Sequence, residues 1–299
     1  MNTFDPIDPK LIDQFRPDHD GYPADMAAQD TVDVMKDVCG SASQDFPDWM
    51  WIEAIDRPDK ARENDKYKTW GINYLDRFTH QQPTHECTTH MLRAEAEGAR
   101  NRQRAIIYPD GPKAGFRYEE SQQGSVWLSP LSIYAEANPR QVGGASCWQV
   151  LEIALKRGFL PETVQPRDYG FKHAIVGTAG KGGINQSSGR WVPLSQFPAG
   201  WQETAKWFMP KKIIFTRNWE QALCMLLHGR ILGYGRNGHA VPPCFWNVAS
   251  NAIGYVDSYD VVRYDSLATF KRAVAQGVHC IESMTAPDNW LDPAGTLAV

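Results

Sequence analysis

Residues 81–97, QQPTHECTTHMLRAEAE, constrain this chain more than any other stretch, because they set a nucleophile at the first turn of a helix. Counting from Cys87, small or apolar residues return at Met91, Ala94 and Gly98, which is one helical stripe. Arg93, Glu95 and Glu97 fall mostly off that stripe. A cysteine in a first helical turn lies at the positive end of the helix dipole, beside N–H groups that the helix itself does not use. Both favour the thiolate, the reactive form of the side chain. Such a cysteine needs a base, and the base must come from elsewhere in the fold.

Competing chemistries fail on spacing. HECTTH is not the metalloprotease pattern: His85 and His90 are five apart, hence about 140° apart around a helix, whereas zinc ligands on one face are four apart. No second cluster completes a site with His80, His85, Cys87 and His90, so no metal and no cofactor are expected. Gly180-Lys181 does not make a phosphate loop, since Ile175 stands where a glycine is needed and Gly182 where Ser or Thr is needed. A surface loop is expected there. The six cysteines have no CxxC pair. This argues against a disulfide framework or structural zinc and for mostly buried thiols in a reducing compartment.

The net charge of −4 gives no reason to expect nucleic acid or an anionic membrane as partner. No apolar run approaches the roughly 18 residues that span a bilayer. The first ten residues, MNTFDPIDPK, lack the basic and apolar parts of a secretion signal, so an intracellular location is expected.

A chain of 299 residues, 42% hydrophobic and with 11 tryptophans, can build one large domain or one of two lobes. Residues 1–47 read as an acidic arm, with a helix expected at 24–38, that docks on its own body or on a partner. The body is expected over residues 48–299. The helix after Cys87 is expected to give way to a basic stretch at 100–104. Trp148, Leu151 and Leu155 form a second stripe, and Lys156-Arg157 before Gly158 is a helix stop. A strand is expected at 212–216. It is followed by a helix capped by Asn218, with Gln221 reaching back, and ending at Gly229. Further strands are expected at 230–234, 240–248, 252–256 and 279–284, and a short helix from Ser266 to Gly277. Helices first and strands later predict an α+β fold of two lobes.

Four segments, in order and spacing, resemble the papain-like cysteine peptidases. Gln81 stands six before Cys87. Leu128-Ser129 leads to Gly143-Gly144 and a helix ending in Gly158. Gly238-His239-Ala240-Val241 opens an apolar strand, and Asp257-Ser258-Tyr259 follows 18 residues after His239. The resemblance spans residues 70–262 and implies a papain-like two-lobed fold. A helical left lobe (about 70–165) would carry the central helix starting at Cys87, and a β-rich right lobe would cover about 166–299. It also implies roles: Cys87 as nucleophile, His239 as general acid and base, Asp257 to orient His239, Gln81 in the oxyanion hole, and backbone at Gly143 and Gly144 for substrate.

This chain departs from the family's pattern at Asp257, usually asparagine, and at Tyr259, usually tryptophan. Thr84 replaces a cysteine whose disulfide is thereby lost. Glu86 replaces a small residue and sets a negative charge beside the thiolate. His85 and His90 become bystanders at the cleft wall or surface. The expected function is thiol-dependent hydrolysis of a peptide or protein. The alternative is the same fold with little or no turnover as an assembly component, as in a virus or phage particle, docked through its arm.

Overall fold

The computed structural model describes residues 6–14, 40–41, 75, 86–104, 106–108, 115–117, 127–138, 144–161, 194–197, 199–236, 238–259 and 261–285. Its elements in chain order are β1 (Gly40–Ser41), α1 (Cys87–Arg104), β2 (Ile106–Tyr108), β3 (Gly115–Arg117), α2 (Pro130–Ala137), α3 (Cys147–Arg157), α4 (Trp201–Lys206) and β4 (Pro210–Thr216). They continue with α5 (Trp219–Leu227), β5 (Tyr234–Arg236), β6 (His239–Val241), β7 (Pro243–Asn247), β8 (Ala252–Asp257), β9 (Val261–Ser266), α6 (Leu267–Gln276) and β10 (Val278–Met284). The helix expected at 24–38 and the glycine-rich stretch around Gly180-Lys181 lie outside the described residues.

Local signals set the helix ends. Ser146 Oγ accepts the N–H of Gln149 at 3.0 Å to start α3, and Gly158, at φ 84°, closes it after Lys156 and Arg157. Ser266 Oγ accepts the N–H of Thr269 to start α6, and Gly277 ends it. Asn218 Oδ1 accepts the N–H groups of Glu220 and Gln221, as expected of a cap. The reciprocal bond differs from expectation. The Asn218 N–H donates to Thr216 Oγ, whose hydroxyl then donates to Gln221 Oε1 at 2.7 Å. A strand-end hydroxyl thus takes the place that Gln221 was expected to fill.

α1 departs furthest from its sequence pattern. It continues through the basic stretch at 100–104, where Arg102 donates to the carbonyl and carboxylate of Glu282 on β10. Its charged positions do not face water: Arg93, Glu95, Glu97 and Arg100 are all buried. Buried charges persist only with partners. Arg93 pairs with Glu97, and Glu97 Oε1 accepts the N–H of Leu128. Glu95 Oε2 accepts from His279 at 2.9 Å and from the Ile281 N–H at 3.3 Å.

Two apolar clusters make the core. One is built on α5, α6 and the β7–β8–β9 meander, the other on α1, α2 and α3. β4 and β10 run antiparallel between them, with β1 parallel to β4 on the far edge. Strand alternation divides their side chains: Ile213 and Ile281 enter the helical cluster, and Ile214 and Cys280 enter the other. The strand expected at 240–248 is two strands, broken at Pro242, which has no N–H for a ladder. β6 folds back on β5 and β7 pairs with β8. The strand expected at 230–234 begins only at Tyr234, because the backbone of Leu232 bonds to Pro243 and that of Gly233 to His279 in place of β6. Residues 6–14 lie on the β-rich body. Ile7 and Ile12 pack on its core, and Asp13 accepts the N–H of Ser266.

Gly233 is a close approach between segments. A Cβ there would stand 2.1 Å from Glu95 Oε1 and 2.5 Å from His279 Cε1. Gly233→Ala is therefore expected to destabilise the fold by about 1–3 kcal/mol, as overpacking does. Denaturant unfolding of the variant reads this directly, and an unchanged midpoint would contradict it.

Candidate active site

α1 packs against β6, so the first turn of the helix meets the first residue of the strand. Cys87 opens α1 and His239 opens β6, just after Gly238, whose φ of 83° makes the turn out of β5. Both are buried, Cys87 at 0% and His239 at 3% exposure. Asp257, the last residue of β8, completes the group: its Oδ1 lies 2.9 Å from His239 Nε2. Cys87 lies close enough to the same imidazole to help set its pKa. Tyr259 stacks on the imidazole, its ring centroid 6.0 Å away and inclined by 21°.

The electrostatics follow from this arrangement. Burial lowers the pKa of His239, but the Asp257 carboxylate bonded to it, and then the neighbouring Cys87, reverse that, pushing it up to about 10. The imidazolium is therefore the form present at neutral pH. Burial raises the pKa of Asp257, yet His239 and then Arg263 hold the carboxyl below its ordinary range. The stability signs are opposite. His239 stabilises the fold at neutral pH and loses that contribution as pH rises through about 10. Asp257 loses its contribution as pH falls through the acid range.

Glu86 turns away along the helix. Its Oε2 lies 3.7 Å from His90 Nε2, and its charge helps raise the buried Tyr134 hydroxyl's pKa, after burial itself. His90 is accordingly a buried partner of Glu86, not the surface or cleft-wall bystander the sequence suggested. Glu86 Oε2 thus faces a histidine one helical turn on.

Of the expected site residues, Cys87, His239 and Asp257 come together. Gly144 is described separately from them, and its carbonyl accepts from Asn138 Nδ2 at 3.3 Å. Gln81, Gly143 and His85 lie outside the described residues. Two neighbours went unrecognised in the sequence. Arg263 Nε donates to Asp257 Oδ2, the oxygen that His239 does not use. On the β8–β9 hairpin, Tyr255 pairs with Arg263 and Asp257 with Val261, which puts residues 257 and 263 diagonally on one face. Period-two reading across the connection between β8 and β9 was the signal available. The second is Cys147, which packs on the cluster of Cys87, Met91 and Ala240. Nothing in its sequence context marks it.

No family model matches the sequence, and no curated protein matches it. Among solved structures the chain is similar to xylellain, a cysteine protease from Xylella fastidiosa, with a TM-score of 0.50 at 12% identity over 69% of this chain and 82% of that one. It also matches the cysteine protease CMS1MS2 of Carica candamarcensis, solved with E-64, with a TM-score of 0.41 at 9% identity over 72% and 95%. A structure from work on the mite allergens Blo t 1 and Der p 1 follows, with a TM-score of 0.38 at 12% identity over 69% and 66%. The likeness to xylellain is one of fold: the chain has a papain-like α+β fold.

Proposed function

We propose that this protein is a thiol-dependent hydrolase, a papain-type cysteine peptidase acting through Cys87, His239 and Asp257. The reading rests on one observation: the His239 imidazole is bonded to the Asp257 carboxylate and has the Cys87 thiol beside it. In the resting site the thiol proton is already on His239, and the thiolate attacks the substrate carbonyl carbon. The oxygen that becomes negative is held by the Cys87 N–H and the Gln81 amide. As the C–N bond breaks, His239 gives its proton to the leaving amine, and the acyl group stays on sulfur. Water, deprotonated by His239, then attacks the thioester, releases the acid and restores the thiolate and imidazolium. Asp257 fixes the ring orientation and stabilises the imidazolium. Backbone at Gly143 and Gly144 pairs with the extended substrate.

A second reading keeps the fold as an assembly component with little turnover. It is favoured by the complete burial of Cys87 and by a buried carboxylate, Glu86, directly before it. The hydrolase reading requires the cover over Cys87 to part when substrate binds. An irreversible thiol-directed epoxide, followed by peptide mapping, separates the two. Hydrolase chemistry labels Cys87 ahead of the other five cysteines. A folded chain that stays unlabelled at Cys87 and purifies in a large uncleaved assembly rejects it.

The charges of the site fix its pH response. Arg263→Gln removes a cation that holds Asp257 ionised, so the acid edge of kcat/KM is expected to move to higher pH, with Arg263→Lys restoring it. Asp257→Ala removes the hydrogen bond that most raises the pKa of His239, so the alkaline edge is expected to fall below about 10. A pH–rate profile with neither edge moved would contradict both.

A further inference from the structure

We infer that Cys87 and Cys147 are a reversible oxidation site, at which a hydroperoxide converts the two thiols to a disulfide that shuts the site. Three observations carry it. Both cysteines are reduced and unbridged. Cys87 is the first residue of α1 and Cys147 the first residue of α3, and these helices pack on each other. Cys147 packs against the small cluster that holds Cys87, and as a residue it is less buried than Cys87, although its thiol is enclosed too. A hydroperoxide is little larger than water, so it can reach an enclosed sulfur where a bulky reagent is hindered.

The chemistry balances in two steps. The Cys87 thiolate attacks one peroxide oxygen; the O–O bond breaks, hydroxide or alkoxide leaves, and sulfur is oxidised to the sulfenic acid. The Cys147 thiolate then attacks that sulfur. The S–S bond forms, the S–O bond breaks, and the oxygen leaves as water with the Cys147 proton. Burial first, and then the negative charge of Cys87, hold the Cys147 thiol well above its ordinary range. Conversion of Cys87 to a neutral sulfenic acid removes that second cause, so Cys147 ionises more readily only after Cys87 has reacted. The order of the two steps is thereby built into the pair. Burial also pushes the Cys244 thiol up, to about 12, and raises Cys280 strongly. Neither is suited to compete.

This inference rests on Cys87 reacting as a thiolate, as in the hydrolase reading, but its test does not use turnover. The full chain is treated with hydrogen peroxide and its mass is measured intact and after digestion without reductant. The expected product has lost two hydrogens, yields a cross-linked peptide joining residues 87 and 147, and returns to the free thiols with dithiothreitol. In Cys147→Ser, the peroxide instead adds two or more oxygens at Cys87, with loss of recovery by dithiothreitol. Epoxide labelling at Cys87 combined with a bridge to any other cysteine, or with no bridge in the wild-type chain, overturns the inference and leaves the hydrolase reading standing. Absence of both epoxide labelling and peroxide oxidation at Cys87 overturns both.

Discussion

Cys87→Ala is expected to lower hydrolysis of a peptide amide by on the order of 10⁶-fold, and adding His239→Ala is expected to cost almost nothing further. The reason is that the thiol and imidazole work as one unit. Without sulfur there is no acyl carrier, and without the imidazole nothing protonates the leaving amine. Asp257→Ala should cost less than either, because it orients and stabilises a group that still exists. The three residues differ in kind: His239 has Asp257 on one side and Cys87 on the other, whereas Asp257 reaches Cys87 only through it. Single-turnover assays on the two single variants and the double variant measure this. Additive losses would mean that the residues do not share a step.

Glu95→Ala is expected to destabilise the fold by about 3–5 kcal/mol, because it strands a buried partner. For a chain of this size that corresponds to a drop in Tm of roughly 10 °C. Glu95 is fully enclosed in the middle of α1, and burial raises its pKa. Its Oε2 bonds to His279 and to the Ile281 backbone on β10, so it ties the helix that carries Cys87 to the strand between the two clusters. The desolvation of both groups is already complete in the folded state. Removing one partner therefore leaves the cost without the attraction. Replacing both, with Glu95→Leu and His279→Phe together, should recover much of the loss. Thermal unfolding of the two variants distinguishes a buried pair from mere packing: equal losses would argue for packing.

The legible parts of this chain were those written in neighbouring residues. Asn218 and Ser266 announced the starts of α5 and α6, and Gly158 and Gly277 the ends of α3 and α6, because a cap or a left-handed turn needs a particular residue within one helical turn. Pro242 was equally local, yet the apolar run on either side hid the break it makes between β6 and β7. The charged face of α1 was misleading for a physical reason. Arg93, Glu95 and Glu97 have the pattern of solvated residues, and only partners elsewhere make their burial tolerable. Two of those partners, Leu128 and His279, lie 31 and 184 residues away.

The order of residues along the chain carries which side chains are available for chemistry: a cysteine at a helix start, a histidine at a strand start and an Asp-Ser-Tyr beyond it. What surrounds them follows from how distant elements pack. The packing of α1 on β6 brings thiol and imidazole together, and the β8–β9 hairpin sets Arg263 on the far oxygen of Asp257. The packing of α1 on α3 sets Cys147 beside Cys87. The pairings of Cys87 with His239 and with Cys147 join residues whose separation along the chain has no period. Periodicity records which face of an element is apolar, and holds no information about which distant side chain will meet it.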